Sequence, residues 1–195
     1  MNKTIFIVAL EQEINYQSKI LDLPVLFSGV GKVNATIAAM KSISLGFNNI
    51  INIGSSGSSV FPVNEVIKVG LFFQDIDCTP LCKYGETLFE KDNKFINFDN
   101  SNNFSCFTTD YFYDQHQISK YNSNYLEMIK NCSVYDMESY SIAKVCKLNE
   151  VNFRCFKWVS DNGESDSWER NCKIGFEKTK EIIQNEFKKE RIQEL

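Results

Sequence analysis

The chain has 195 residues, a formal net charge of −4 and a pI of about 5.2. Apolar residues make up 43% and charged residues 24%, which excludes a disordered chain, a collagen-like fibre and a coiled coil. The acidic balance argues against binding nucleic acid through a broad basic surface. No apolar run approaches the ~18 residues of a transmembrane helix, and residues 1–10 lack the pattern of a secretory signal. These features predict a cytoplasmic protein with no membrane partner.

Cysteine and histidine usage limits the chemistry. The seven cysteines are odd in number and irregularly spaced, which favours free thiols over a disulfide framework. His116 is the single histidine, so neither a zinc site nor a Ser-His-Asp triad is indicated. We expect no metal and no organic cofactor.

Strands and helices alternate along the chain. Short apolar runs predict strands at residues 4–10, 24–28, 49–53, 69–74, 104–109 and 153–159. Residues 11–22 are polar with helical character, and residues 75–103 are predicted to be irregular or to form a hairpin. This alternation predicts one α/β domain over residues 1–195, with a sheet covered by helices on both faces.

Three further helices are predicted from apolar spacing and end signals. One lies between Gly31 and Gly46, with Val33, Ile37, Met40 and Ile43 at helical spacing. Another covers residues 137–148, with Asp136 as its N-cap. The last has Asp166 and Glu169 at capping-box spacing at its start. Its apolar stripe consists of Trp168, Cys172, Phe176, Ile183 and Phe187.

Small and acidic residues follow the predicted strands, where ligands bind in open α/β sheets. Each has an ordinary explanation when taken alone. Glu13 could complement a helix dipole, Asp161 could be a turn residue, and residues 54–57 (GSSG) could be a tight turn or a ligand loop. Residues 29–32 (GVGK) lack the remaining positions of a phosphate-binding Walker loop.

The ordered set is more specific than its members. Residues 9–13 (ALEQE), 28–33 (SGVGKV), 52–57 (NIGSSG), 136–138 (DME) and 159–161 (VSD) resemble the purine nucleoside phosphorylase and nucleosidase superfamily. Within it, the sequence is most similar to 5′-methylthioadenosine/S-adenosylhomocysteine nucleosidases. The resemblance implies a three-layer, nucleoside phosphorylase-like fold with a mixed central sheet flanked by helices. It also implies a homodimer whose ligand is a small purine nucleoside.

The resemblance assigns roles to particular residues. Glu13 would activate water, Asp161 would deliver a proton to N7 of the purine, and Glu138 would bind the ribose 2′- and 3′-hydroxyls. Two carboxylates on opposite faces of a sugar suit inverting hydrolysis, and burial should raise the pKa of Asp161 so that it holds its proton. The other implied substrate-binding residues are Met137, Ser55, Gly57, Phe112, Val30, Leu10, Ser160 and Lys157.

Two departures from the family keep alternatives open. Only 14 residues separate Glu13 from Ser28, fewer than is usual, and Lys157 stands where the family usually has an arginine that supports the ribose-binding glutamate. No arginine precedes Arg154, which disfavours a phosphorylase because phosphate oxygens are usually chelated by arginines. The residues favour a nucleosidase, and the resemblance favours adenine over hypoxanthine as its base. A purine nucleoside phosphorylase and a catalytically impaired nucleoside-binding protein remain the alternatives.

Overall fold

The computed structural model describes residues 3–90, 94–163 and 167–193. Within these residues, ten strands form one mixed sheet. The strands are β1 (Thr4–Val8), β2 (Lys19–Ile20), β3 (Leu23–Phe27), β4 (Asn49–Gly57), β5 (Val66–Val69), β6 (Leu71–Gln74), β7 (Ile96–Asn97), β8 (Ser105–Thr108), β9 (Val134–Asp136) and β10 (Asn152–Asp161). The helices are α1 (Lys32–Ser44), α2 (Ser123–Asn131), α3 (Ser139–Leu148) and α4 (Trp168–Gln193), with 3₁₀ helices at Glu11–Ile14 and Gln115–Lys120.

The centre of the sheet is formed by parallel strands. β1 lies between β3 and β4 and is parallel to both. β10 runs parallel to β4 along its whole length and pairs with β5 in the antiparallel direction. The end of β4 also pairs with β9, and β8 then continues the sheet through β6 to β7. The predicted mixed sheet is therefore confirmed.

Apolar side chains on both faces of the sheet explain the three layers. On one face, α1 and α3 pack on a cluster that includes Ile5, Ile50 and Phe153. On the other face, α4 covers Phe6, Phe156 and other residues of the central strands. Strands buried on both faces are typical of a parallel sheet covered by helices. The apolar stripe predicted for α4 is confirmed, since its residues all belong to the second cluster.

The predicted helix after Gly31 is confirmed as α1, but of its four predicted apolar residues only Ile43 packs against the core. Val33, Ile37 and Met40 are exposed. The buried face instead carries small side chains, those of Ala35, Ala38, Ala39 and Ser42. Small residues allow α1 to lie close to the sheet, so Val33, Ile37 and Met40 face outward. Gly46 ends the helix as predicted, with a left-handed φ of +82°.

Other differences have local causes. Residues 11–22 form only a short 3₁₀ helix, because the chain turns at Asn15 and Tyr16 with positive φ and then enters the β2–β3 hairpin. The strand predicted at residues 69–74 is divided at Gly70 into β5 and β6, which pair with different strands. A Cβ at Gly70 would lie 2.5 Å from the Asn102 carbonyl oxygen, so this division requires glycine.

The start of α3 differs from the prediction, and the residue predicted to cap α4 is not among the described residues. α3 begins at Ser139, two residues later than expected. Asp136 still accepts a hydrogen bond from the Ser139 N–H, at 2.9 Å, as a capping side chain does. The expected capping residue Asp166 lies outside the described residues. α2 was not predicted from the sequence. None of the helices in the described ranges has the length and apolar character needed to cross a membrane.

Candidate active site

A cavity of about 390 Å³ lies at the carboxyl ends of the central strands. Ten residues that the sequence singled out line it: Leu10, Glu13, Val30, Ser55, Gly57, Phe112, Met137, Glu138, Ser160 and Asp161. They come from positions far apart in the chain, and the parallel strands bring them to one edge of the sheet. The cavity is therefore the candidate active site.

Glu13 is fixed by three donors. Its Oε1 accepts hydrogen bonds from the N–H and the hydroxyl of Ser55, both at 2.7 Å, and its Oε2 accepts one from the Leu10 N–H at 3.1 Å. Trp168 Nε1 donates to the Ser55 hydroxyl at 3.1 Å. Because an indole N–H only donates, this contact leaves the hydroxyl proton for Glu13. The carboxylate, which is 3% exposed, is held in one orientation against the cavity.

Glu138 is a buried carboxyl with few ionic partners. Its Oε1 accepts a hydrogen bond from the Gly31 N–H at 3.0 Å, and Gly31 has a φ of +97° that favours glycine. Burial, together with the nearby negative charge of Asp136, raises the pKa of Glu138 to about 8. A neutral or ionised carboxyl at this place can accept hydrogen bonds from hydroxyl groups of a ligand.

Lys157 lies behind the cavity wall, although the sequence grouped it with the substrate-binding residues. Its ammonium is 2.8 Å from Asp136 Oδ2, and both side chains are buried. Burial alone would raise the pKa of Asp136, but the charge of Lys157 and hydrogen bonds from Ser139 and Thr108 outweigh burial and lower it. Lys157 thus neutralises Asp136 by direct contact. It acts on Glu138 only at a distance, because its positive charge favours the ionised form of that carboxyl.

Asp161 is the last residue of β10 and lines the cavity. Its carboxyl accepts hydrogen bonds from the Gly163 N–H at 2.9 Å and from the Ser160 hydroxyl at 2.7 Å. These bonds lower the pKa of Asp161, but burial has the larger effect and raises it, in the direction expected from the sequence. A carboxyl of this kind retains its proton to higher pH and can act as an acid.

A charged network fixes the rim of the cavity. The Lys32 ammonium pairs with Asp75 and, at 3.2 Å, with Asp110. The Lys32 N–H also donates to Asp110, at 3.1 Å. This network joins the start of α1, next to Val30, to the loop that presents Phe112. Both of these apolar side chains are more than one-third exposed.

Sequence reasoning missed part of the lining. The additional residues are Ala9, Ser56, Thr109, Tyr111, Tyr113, Tyr135, Asp136 and Trp168. Several directly adjoin predicted residues, which was the available signal. Trp168 was instead assigned to the apolar stripe of α4. It packs against the second core cluster and also lines the cavity. Across residues 3–90, 94–163 and 167–193, no group of three metal-ligating side chains is placed to hold a metal ion.

The sequence matches no protein-family model and no curated protein. Solved structures are nevertheless similar. A mutant of Helicobacter pylori 5′-methylthioadenosine/S-adenosylhomocysteine nucleosidase, with 5′-methylthioadenosine in the active site, has a TM-score of 0.78 at 16% identity, covering 95% of this chain and 99% of that one. The futalosine hydrolase of H. pylori gives 0.76 at 18% identity, covering 94% and 98%. The Campylobacter jejuni methylthioadenosine/adenosylhomocysteine nucleosidase gives 0.74 at 20% identity, covering 95% and 100%. The chain therefore has the nucleoside phosphorylase-like fold of these nucleosidases.

Proposed function

We propose that the protein is a purine nucleosidase that hydrolyses the N-ribosidic bond of 5′-methylthioadenosine- or S-adenosylhomocysteine-like nucleosides, with adenine as the preferred base. The observation that carries the proposal is the meeting of Glu13, Glu138 and Asp161 around one cavity. The similar structures support it, since they are nucleosidases and one holds 5′-methylthioadenosine.

The three carboxyl groups suit three steps of the proposed reaction. Glu13, held by Ser55 and Leu10, removes a proton from water as the water attacks C1′ of the ribose. Asp161, whose pKa is raised by burial, delivers a proton to N7 so that the base leaves as a neutral molecule. Glu138 accepts hydrogen bonds from the ribose hydroxyls and, in its ionised form, stabilises positive charge on the sugar in the transition state.

The cavity favours hydrolysis over phosphorolysis. Its described lining contains no lysine or arginine that could hold phosphate beside the ribose. Lys32 and Lys157 lie near it but are paired with aspartates, and Arg154 pairs with Glu186 and Glu190 on α4. The negative charge of Glu13 would also repel phosphate.

The proposal includes a homodimer in the cytoplasm. Val33, Ile37 and Met40 on α1 and Leu148 on α3 are exposed apolar side chains, and contact with a second copy would remove such side chains from water. All seven cysteines are free thiols, as in proteins of reducing compartments.

Base release tests the function. The protein is incubated with 5′-methylthioadenosine, S-adenosylhomocysteine, adenosine and inosine, with and without phosphate, and the released base is measured by chromatography. We expect phosphate-independent adenine release. Glu13→Gln should lower turnover about 100-fold or more while nucleoside affinity is kept.

Glu11→Gln is the matched control, because Glu11 lies in the same 3₁₀ helix but is exposed. It should behave as the unaltered protein. Release only in the presence of phosphate would indicate a phosphorylase instead. Nucleoside binding with no release from any substrate would indicate a non-catalytic nucleoside-binding protein.

A further inference from the structure

A tyrosine that the proposed mechanism does not use lines the cavity two strands away from Asp161, the residue proposed to protonate the base. Tyr135 of β9 pairs with Gly57 of β4, and Gly57 also pairs with Asp161 of β10. These three residues therefore lie side by side across three strands. Tyr135 and Asp161 flank Gly57 on the same edge of the sheet that forms the cavity.

The Tyr135 ring lies directly over Gly57. A Cβ on Gly57 would be 2.0 Å from Cε2 of Tyr135 and 2.6 Å from its hydroxyl oxygen, so only glycine leaves room for this ring. Tyr113 packs against the ring edge-to-face, with a centroid distance of 5.4 Å. The hydroxyl end of Tyr135 thus lies over Gly57 of β4, the strand that separates β9 from β10.

No hydrogen bond within the described structure accounts for the hydroxyl group of Tyr135. Tyr135 is 6% exposed, and its hydroxyl oxygen is buried without a hydrogen-bond partner among the residues that the structure describes. A buried unpaired hydroxyl costs free energy, and a phenylalanine would make the same ring contacts without that cost. Burial first, and then the charge of Asp161, raises the pKa of Tyr135, so the hydroxyl keeps its proton.

We propose that Tyr135 is a specificity-determining residue whose hydroxyl hydrogen-bonds the substituent at the 6-position of the bound purine. The inference rests on the proposed function, in which Asp161 protonates N7. The group beside N7 on the purine edge that can form hydrogen bonds is the 6-substituent. A phenol hydroxyl accepts a hydrogen bond from a 6-amino group and donates one to a 6-oxo group. The substrate class is therefore 6-amino and 6-oxo purine nucleosides, as opposed to purines without a 6-substituent.

Calorimetric binding of free bases tests this without relying on turnover. The probes are adenine and hypoxanthine, which carry the substituent, and unsubstituted purine, which lacks it. The unaltered protein should bind adenine and hypoxanthine more tightly than purine. Tyr135→Phe should weaken binding of adenine and hypoxanthine about 3- to 10-fold, the effect of one neutral hydrogen bond, and leave purine binding unchanged. The kcat/KM ratio of adenosine to purine riboside should fall by the same factor.

Tyr125→Phe is the matched control, since Tyr125 belongs to the same aromatic cluster but not to the cavity lining. It should leave the ratios of base affinities unchanged. The melting temperature of the free protein should not fall in Tyr135→Phe, because no internal hydrogen bond is removed. If Tyr135→Phe weakens the binding of all three bases equally, or changes none of them, the proposed role of Tyr135 is overturned. The proposed function would not be affected by that result. Failure of the unaltered protein to bind any purine or nucleoside would overturn the proposed function and the inference together.

Discussion

At the scale of single residues, one buried ion pair next to the cavity supports the position of Glu138. Lys157 and Asp136 are both almost fully buried and lie 2.8 Å apart. Asp136 also accepts hydrogen bonds from Thr108, at 2.6 Å, and from the Ser139 N–H. Glu138 follows two residues later, so the position of its carboxyl depends on how this pair is satisfied.

Removing the lysine alone should be more harmful than removing both charges. Lys157→Met leaves the Asp136 carboxylate buried and uncompensated, and should lower the free energy of unfolding by about 3–5 kcal/mol. Lys157→Met combined with Asp136→Asn removes the charge as well, and should be more stable than Lys157→Met by at least about 1 kcal/mol. Urea unfolding of the two single variants and the double variant measures this coupling. Additive effects would show that the pair contributes no interaction of its own.

The sequence predicted the location of some site residues but not of others. Glu13, Glu138 and Asp161 follow or precede strands in a recognisable order, so their presence at one sheet edge was predictable. The location of Lys157 behind the wall was not, because side-chain direction depends on β10 being packed between β4 and β5. The contact between Tyr135 and Gly57 arises from pairing of β4 with β9, which are far apart in sequence.

At the scale of elements, the sequence predicted most central strands and misjudged the surfaces of the helices. Hydrophobic spacing identified α1, but it could not show that the alanine face packs inward while Val33, Ile37 and Met40 face outward. Two faces of α1 are apolar, and the choice between them depends on how closely its neighbours approach. The outer strands β2 and β7 have only two residues each, too few for a periodic pattern.

The position of α4 on the sheet depends on Gly175. A Cβ there would lie 2.2 Å from Cγ of Trp158, which is fully buried in β10. Gly175→Ala improves intrinsic helix propensity by about 1 kcal/mol, but the overlap with Trp158 should cost more. We expect a net loss of about 1–3 kcal/mol in the free energy of unfolding. Asn185→Ala, at an exposed position of α4, is the control and should be neutral or slightly stabilising. An equal gain in both variants would mean that α4 does not pack on Trp158 as described.

At the scale of the whole molecule, the candidate site opposes stability near neutral pH. Carboxyl groups gathered at one sheet edge lose hydration on folding, and burial raises the pKa values of Glu138 and Asp161. A group whose pKa is higher in the folded than in the unfolded chain binds more protons when folded. The stability it contributes is therefore fully present below its ordinary pKa and is lost as pH rises through its raised pKa.

Glu138→Gln should make the stability of the protein less dependent on pH. The pKa of Glu138 is raised from an ordinary value of 4.5 to about 8, so the unaltered protein should lose stability between these values, by at most about 1.4 kcal/mol per pH unit from this group. Glutamine can still accept the hydrogen bond from Gly31 but does not titrate. Between pH 5.5 and 7.5, the unfolding free energy of the unaltered protein should therefore fall by about 2–3 kcal/mol more than that of Glu138→Gln. Asp161 titrates in both proteins and largely cancels in the comparison. Urea unfolding at the two pH values measures the difference, and parallel pH profiles would show that Glu138 is already ionised throughout this range.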